Sequence, residues 1–287
     1  MRCDLHVHTR HSGMCTVPVL RRICRESYSD PRAVYETLKR RGMDLVTITD
    51  HDSIDAAECL RSQRDFFLSE EVSAISPSGT EMHIGVYDIQ ERHHVEIQCR
   101  RQDLLSLIAY LEEQQIFFTI NHVYSSLTGR RTEADFVLFS RHFPGIEALN
   151  GQIPALCNQR ASDLALRLRK AVVGGSDAHT MASLGRTYTQ VSGVRTREEF
   201  MERLRRGQAS LHGESGSYWK LTRAVWKLGS EMMGERPWTL SLFPLALAVP
   251  LVTLANAFRE LAFVHRWARG TCAPPQPAFL GYEEGGV

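Results

Sequence analysis

The sequence predicts an α/β architecture with mainly parallel strands. Three observations carry that prediction. Short β-rich runs alternate with helical patterns across residues 3–213. Several of the apolar β runs break off in titratable residues instead of continuing. The chain has 287 residues, 43% hydrophobic, which suffices for one large domain with a sizeable core, alone or with an appendage, and is too apolar for a disordered chain.

Taken in chain order, the strand readings are Cys3–Thr9, Asp44–Thr49, His83–Tyr87, Ile116–Asn121, Ile146–Leu149, Ala171–Gly174 and Thr187–Val191. A helix is predicted over Pro31–Arg41, with Asp30 as N-cap, Pro31 at the first helical position and Gly42 past the end. Helical patterns also cover Arg101–Gln114, Cys157–Lys170 and Thr196–Arg206. The last has Thr at its cap, acids in its first turn and bases in its final turn, which complements the helix dipole. Composition changes after Gly213: Glu214–Gly216 reads as a linker and Tyr218–Met233 as an amphipathic helix. Trp238–Phe258 then contains no charged residue and is about long enough to span a bilayer. Pro244, Pro250 and Asn256 oppose a span, because lipid cannot satisfy the backbone bonds that prolines remove. The first reading is therefore a helix buried on the domain or at a self-association interface, and membrane attachment is the second.

The charge balance excludes one class of function. With 34 Lys+Arg against 33 Asp+Glu, the net charge is +1, so the chain lacks the basic excess of a protein that coats nucleic acid. A small anionic substrate in a local site stays open. Seven cysteines, at 3, 15, 24, 59, 99, 157 and 272, form no Cys-x-x-Cys pair, which predicts a reducing, cytoplasmic setting. The opening residues Met1–Thr9 have no apolar run of a secretory signal. No nucleophile elbow, phosphate-binding loop or strand-anchored dinucleotide fingerprint is found.

The chemistry lies in the polar ends of the β runs. In Asp4-Leu5-His6-Val7-His8-Thr9, alternation along a strand projects His6 and His8 to one side, a pairing that suits a divalent metal, with Asp4 on the same side to orient an imidazole. The apolar run Leu45–Ile48 ends in Asp50-His51-Asp52. The apolar run Ala171–Val173 opens into Gly174-Gly175-Ser176-Asp177-Ala178-His179, where the glycines permit close backbone turns. His83 and His122 lie at the ends of two further runs, and Glu71 follows another apolar pair. Each residue alone has an ordinary explanation as a helix cap, a surface acid or a core imidazole. Independent placement would not select the end of one β run after another, so the joint pattern points to metal ligation.

In these motifs the sequence resembles the PHP family, named for polymerase and histidinol phosphatase. The resemblance lies in residues 4–9, 49–52, 71–73 with 83–87, 120–122 and 175–179, and continues into Leu184–Val191. It implies a distorted (β/α)7 TIM-like barrel over residues 1–213, with a C-terminal helical extension over 214–287. It also implies two or three divalent ions (Zn, Mn or Fe) at the strand ends. By that pattern His6, His8, Glu71 and Asp177 would hold one ion, and Glu71 would bridge to a second held by His83 and His122. His51 and His179 would serve a third. Glu71 is preferred to Glu70 on its spacing to His83. One departure is that the usual Asp or His five or six residues past the second His falls on Gly13 and Met14, leaving His11 or Cys15 as substitutes and the third position in question. A second is the short interval between His83 and His122, which implies an open mouth.

The implied activity is metal-dependent hydrolysis of a phosphoester by a metal-bound hydroxide, on a small phosphomonoester, a nucleotide or an oligonucleotide end. Arg130 and Arg131 are the candidate cations for the phosphoryl charge, with Arg160 and Arg186 behind them, and His11 is the candidate proton donor to the leaving group. The alternative is a non-catalytic metal-binding or regulatory module. Beyond the phosphorylated substrate or a nucleic-acid end, the expected partner is a membrane or a second copy, met through residues 238–258.

Overall fold

A computed structural model of the chain describes residues 1–17 and 20–270; Cys272 and the rest of 271–287 in the predicted extension lie outside the described residues. The elements run in order β1 (Arg2–Cys3), α1 (Pro31–Arg40), a 3-10 turn (Asp55–Cys59), β2 (Leu68–Ile75), β3 (Glu81–Ile89), α2 (Glu91–Arg100), α3 (Leu104–Glu113) and β4 (Phe117–Ile120). They continue through α4 (Glu133–His142), β5 (Gly145–Asn150), α5 (Ala155–Leu168), β6 (Ala171–Gly175), β7 (Thr187–Gln190), α6 (Arg197–Arg205) and β8 (Ser210–Gly213). Two longer helices, α7 (Tyr218–Glu235) and α8 (Val249–Gly270), flank a 3-10 stretch, Pro237–Ala248.

The mixed α/β class is as the sequence predicts, but the strands are not mainly parallel. One sheet has the order β2-β3-β4-β5-β6 and the other β1-β7-β8. Only β4–β5 and β5–β6 pair in parallel, and the other named pairings are antiparallel. The named strands form no closed barrel among the described residues. Isolated bridges tie the sheets at the missing places: Val7 to Ala178, Val46 to Phe66 and His51 to Glu71, all parallel.

The strands expected over Cys3–Thr9 and Asp44–Thr49 are mostly irregular backbone, for a physical reason. Side-chain oxygens take the amides that a neighbouring strand would otherwise accept. Asp4 Oδ1 accepts from Ser176 N at 2.7 Å, Thr49 Oγ1 from Val7 N at 2.9 Å and Asp50 Oδ1 from Thr9 N at 2.5 Å. Every one of these oxygens is buried, so the segments stay in place without a continuous ladder.

The helices follow their caps. Asp30 accepts from Arg32 N and Ala33 N at the start of α1, and Thr196 accepts from Glu199 N at the start of α6. The predicted helix over Arg101–Gln114 begins later, because Asp103 caps α3 by accepting from Leu105 N and Ser106 N, while Arg101 ends the separate helix α2. The largest core cluster packs Ile84, Phe118, Ile120 and Ile146 of the sheet against Leu107, Leu111 and Leu164 of the helices. Each such side chain contributes on the order of 1.5–3 kcal/mol by leaving water.

The C-terminal hairpin is anchored at its base and bare at its tip. Glu260 of α8 is buried and accepts from Ser126 N at 3.0 Å and Ser126 Oγ at 2.5 Å. Val264 of α8 joins the main core cluster, and Lys220 Nζ of α7 donates to Gly151 O at 2.7 Å. The uncharged stretch is not buried on the domain, contrary to one branch of its first sequence reading, the other being a self-association interface: Trp238 is 61% exposed, and Leu240, Phe243, Leu245 and Leu247 are similarly bare. Pro237–Ala268 is long and apolar enough to cross a membrane by length and composition, with mean hydropathy 1.8 over an 18-residue window.

Candidate metal centre

The irregular segments and the sheet deliver their polar residues to one place. His6 and His8 follow β1, His51 follows the apolar run Leu45–Ile48, and Glu71 sits inside β2. His122 follows β4 and Asp177 follows β6, both at positive φ (30° and 50°), so each marks a sharp exit from its strand. His83 lies near the start of β3, not its end. Because β3 is antiparallel to β2 and β4, its start falls on the same side as the ends of those two strands.

Glu71 is the hub. Its Oε2 lies 3.2 Å from His6 Nε2, 3.4 Å from His8 Nε2 and 3.3 Å from His51 Nε2. Its Oε1 lies 3.2 Å from His122 Nε2 and 3.6 Å from His83 Nδ1. Asp177 Oδ1 closes the first group, at 3.6 Å from His6 Nε2 and 3.3 Å from His8 Nε2. His179 Nδ1 meets the Asp177 carbonyl at 3.0 Å, which turns its Nε2 outward to Glu26 Oε1 at 3.6 Å. His51 Nε2 faces the same Glu26 oxygen at 3.6 Å.

These residues fit divalent ions. Ligands about 2.1 Å from a tetrahedral ion stand about 3.4 Å apart, and the Glu71 and Asp177 oxygens lie 3.2–3.6 Å from the imidazole nitrogens they face. Donor atoms converge in three sets: His6, His8 and Asp177; His51, Glu71 and His83; and His8, His51 and His179. His8 Nε2 is buried with no hydrogen-bond partner, a cost that a cation at that spot would remove.

A further layer aims the ligands. Glu147 Oε1 sits 2.7 Å from His6 Nδ1, so that Nδ1–H donates and Nε2 keeps its lone pair toward Glu71. Its Oε2 accepts from His122 N at 2.8 Å and Asn150 Nδ2 at 3.0 Å. Asn121 Nδ2 donates to Glu71 Oε1 at 2.8 Å. His8 Nδ1 meets Ser12 Oγ at 2.9 Å, and Ser12 Oγ donates to Asp50 Oδ1 at 2.7 Å. Asp4, expected to orient an imidazole, instead accepts three backbone amides, from His6, Ser176 and Gly185. A Cβ at Gly175 would stand 2.4 Å from both Cβ and N of His6, so only glycine allows this approach.

Charge follows the same geometry. Burial works against a charged His6, yet Glu71, Asp177 and Glu147 overcome it and raise its pKa well above the usual value. Burial likewise opposes His51, and Glu71 with Glu26 lifts it to about 10. Burial pushes His8 down to about 3, helped by its neighbours His179 and His51. Burial would raise Glu71, but His6, His51 and His83 hold it well below the carboxylate range. Without metal the site therefore balances buried carboxylates against protonated imidazoles.

The sequence-predicted residues divide into two groups. His6, His8, His51, Glu71, His83, His122, Asp177 and His179 are brought together as described. His11, Arg130 and Arg131 form no part of that cluster. His11 Nε2 is buried without a hydrogen-bond partner. Arg130 is exposed. Arg131 is buried, and its guanidinium donates to Glu81 O at 3.0 Å, Arg130 O at 3.1 Å and Thr128 Oγ1 at 2.6 Å. Sequence reasoning missed Glu26, Glu147, Asn121 and Asn150. Glu147 did carry a signal, as a lone acid inside the apolar run Gly145–Leu149. Glu26, in a loop, carried none.

Comparison with known proteins bears on the family and the fold. A family model described as PHP-associated matches residues 156–209. The uncharacterized protein MJ1587 of Methanocaldococcus jannaschii is 33% identical over 67 residues, which cover 23% of this chain and 38% of that protein. In fold, the chain is similar to PsfC from Pseudomonas syringae, with TM-score 0.56 and 17% identity over 81% of this chain and 98% of that one. It is also similar to the lesion-specific endonuclease PfuEndoQ from Pyrococcus furiosus, with TM-score 0.50 and 15% identity over 73% of this chain and 57% of that one.

Proposed function

That the chain is a PHP-domain protein is the premise from which we propose a metal-dependent hydrolase acting on phosphoesters. The observation that carries the reading is Glu71, one buried carboxylate whose two oxygens face two different sets of imidazoles. Such a carboxylate suits a bridge between two cations. His6, His8, Glu71 and Asp177 would hold one ion, and Glu71, His83 and His122 the other. When bound, these ions would supply Lewis-acid stabilisation of the phosphoryl oxygens and acidify water.

The chain's own residues do the rest. Glu147 and Asn121 hold His6 and Glu71 in the orientation that ligation needs. Arg131 fixes the loop after β4 by its bonds to Glu81 O and Thr128, and the exposed Arg130 beside it meets the charge of the substrate. His11, with a buried and unbonded Nε2, gives the proton to the leaving oxygen. The substrate class is a small phosphomonoester, a nucleotide or an oligonucleotide end, and the fold shared with a lesion-specific endonuclease supports including the last. Residues 1–213 act as the catalytic unit, a distorted (β/α)7 barrel in which the isolated bridges stand for the missing ladders. The decisive experiment supplies Zn, Mn or Fe(II) to the purified protein and screens p-nitrophenyl phosphate esters and a nucleotide panel, with Asp177→Ala as control. Turnover lost in the variant supports the reading. A single tight ion with no turnover in the unmodified protein favours a non-catalytic metal-binding module instead.

The exposed apolar tip of the hairpin, Trp238 to Leu247, supports a second element: attachment of a cytoplasmic enzyme to a membrane, or to a second copy, through 238–258. Recovery of monomeric protein wholly in the soluble fraction without detergent would reject it.

A further inference from the structure

We infer that Glu26 is a metal ligand, completing with His51 and His179 a third cation position at the mouth of the centre. The inference rests on the metal-dependent reading above and adds a residue to it. The sequence offers no ligand at Gly13 or Met14, and the loop geometry explains how the site is completed from elsewhere.

Residues 13–15 run back-to-back with residues 24–26. Met14 and Arg25 form an antiparallel bridge, Cys15 N donates to Cys24 O at 3.0 Å and Glu26 N donates to Gly13 O at 3.1 Å. Glu26 therefore stands directly across from Gly13, which has φ of 86° and no side chain of its own. The returning arm thus supplies a carboxylate where the outgoing arm has none. The outer side of this arm is held by α7, since Arg25 Nε pairs with Glu235 Oε1 at 2.9 Å.

His51 and His179 offer donor atoms within 4.8 Å of one another in the set they form with His8, and Glu26 reaches both rings. Glu26 Oε1 lies 3.6 Å from both His51 Nε2 and His179 Nε2, near the edge length of a tetrahedral site. His179 is oriented by its Nδ1–H bond to the Asp177 carbonyl at 3.0 Å, which leaves Nε2 for the ion. Two imidazoles and one carboxylate with an open side suit a divalent first-row ion such as Mn, Fe or Zn. The position is also the most accessible of the three. Glu26, His51 and His179 side chains are 20%, 13% and 22% exposed, against 1% for Glu71 and 2% for His6. It should bind most weakly and exchange most readily, and its ion would be the one nearest incoming substrate.

The test counts metal rather than activity. Apo protein is loaded with Mn(II) by equilibrium dialysis and counted by elemental analysis, and free Mn(II) is followed by electron paramagnetic resonance. The expected result is three equivalents in the unmodified protein and two in Glu26→Gln, in His179→Gln and in the double variant, since both residues serve one ion. Three equivalents in Glu26→Gln overturn the inference. Two in the unmodified protein also overturn it, while leaving the two-ion centre intact. No bound metal at all would instead remove the reading it rests on. If Glu26→Gln does not fold by circular dichroism, Glu26→Asp keeps the charge but shortens the reach. Its third ion is then expected to bind on the order of tenfold more weakly. Unchanged affinity there overturns the inference as well.

Discussion

Replacing Glu147 by Gln removes one oxygen acceptor and changes almost no volume, so its effect isolates what that carboxylate does. Three donors converge on it: His6 Nδ1 at 2.7 Å on Oε1, and His122 N at 2.8 Å with Asn150 Nδ2 at 3.0 Å on Oε2. A glutamine has one oxygen and one NH2 group, so two orientations exist and both fail. With the oxygen toward His122, the NH2 group faces His6 Nδ1, which must then accept. The proton moves to Nε2, the atom that faces Glu71 at 3.2 Å and Asp177 at 3.6 Å, and His6 can no longer ligate. With the oxygen toward His6, the amides of His122 and Asn150 face another donor inside the protein. That orientation costs about 1–3 kcal/mol for each amide left unpaired.

The protein takes the cheaper orientation, so the loss is bounded from both sides. Metal affinity at the His6, His8 and Asp177 position should fall about 10–100-fold, which is about 1.4–2.7 kcal/mol. Competition against a chromophoric chelator measures that loss, and thermal unfolding of the apo protein measures the cost of the other orientation. Glu147→Gln that leaves both metal affinity and apo stability unchanged would refute the argument that Glu147 sets the tautomer of His6.

Three further outcomes follow from the same geometry. Metal binding at pH 7 should release protons, because ligation needs neutral imidazoles while the apo centre holds His6 and His179 above their usual range and His51 at about 10. Affinity should then rise with pH up to that value, by as much as about tenfold per unit for each proton displaced, and calorimetry in buffers of different ionisation enthalpy that detects no release would contradict it. Gly175→Ala should destabilise the fold by about 1–3 kcal/mol or more, because its Cβ would meet backbone N and Cβ of His6 at 2.4 Å, and the melting temperature reads this directly. Glu260→Ala should cost about 1–3 kcal/mol by orphaning Ser126 N and Oγ, and faster hydrogen exchange in α8 than in α1 would be its local signature.

Much of the centre was legible because its ligands sit where apolar runs break off. His51, His122, Asp177 and His179 interrupt β patterns that the core would otherwise continue, so burial and polarity conflict visibly in the sequence. Strand direction was not legible in the same way. A run such as His83–Tyr87 has the same alternation read from either end, and only its pairing with β2 and β4 makes it antiparallel. The segments that carry His6, His8 and His51 read as strands and are largely not. The same polar residues that build the site, Asp4, Thr49 and Asp50, also take over the backbone amides that a ladder needs.

Glu26 shows where residue patterns stop informing. Nothing in Cys24-Arg25-Glu26-Ser27 distinguishes it from a solvated loop acid. Its place is fixed by three remote facts: the turn at Gly13, the pairing of Met14 with Arg25 and the grip of Glu235 on Arg25. The last comes from α7, 210 residues further along the chain. Arg236, just after α7, adds a bond from Nη1 to Arg22 O at 3.0 Å. The C-terminal hairpin is therefore not a free appendage. The end of α7 beside the tip holds the arm that presents Glu26, through Glu235 and Arg236, and the apolar stretch extends directly from it. A surface that captured the tip would act on α7, and through Arg25 on the most exposed metal position, by contacts already formed in this structure.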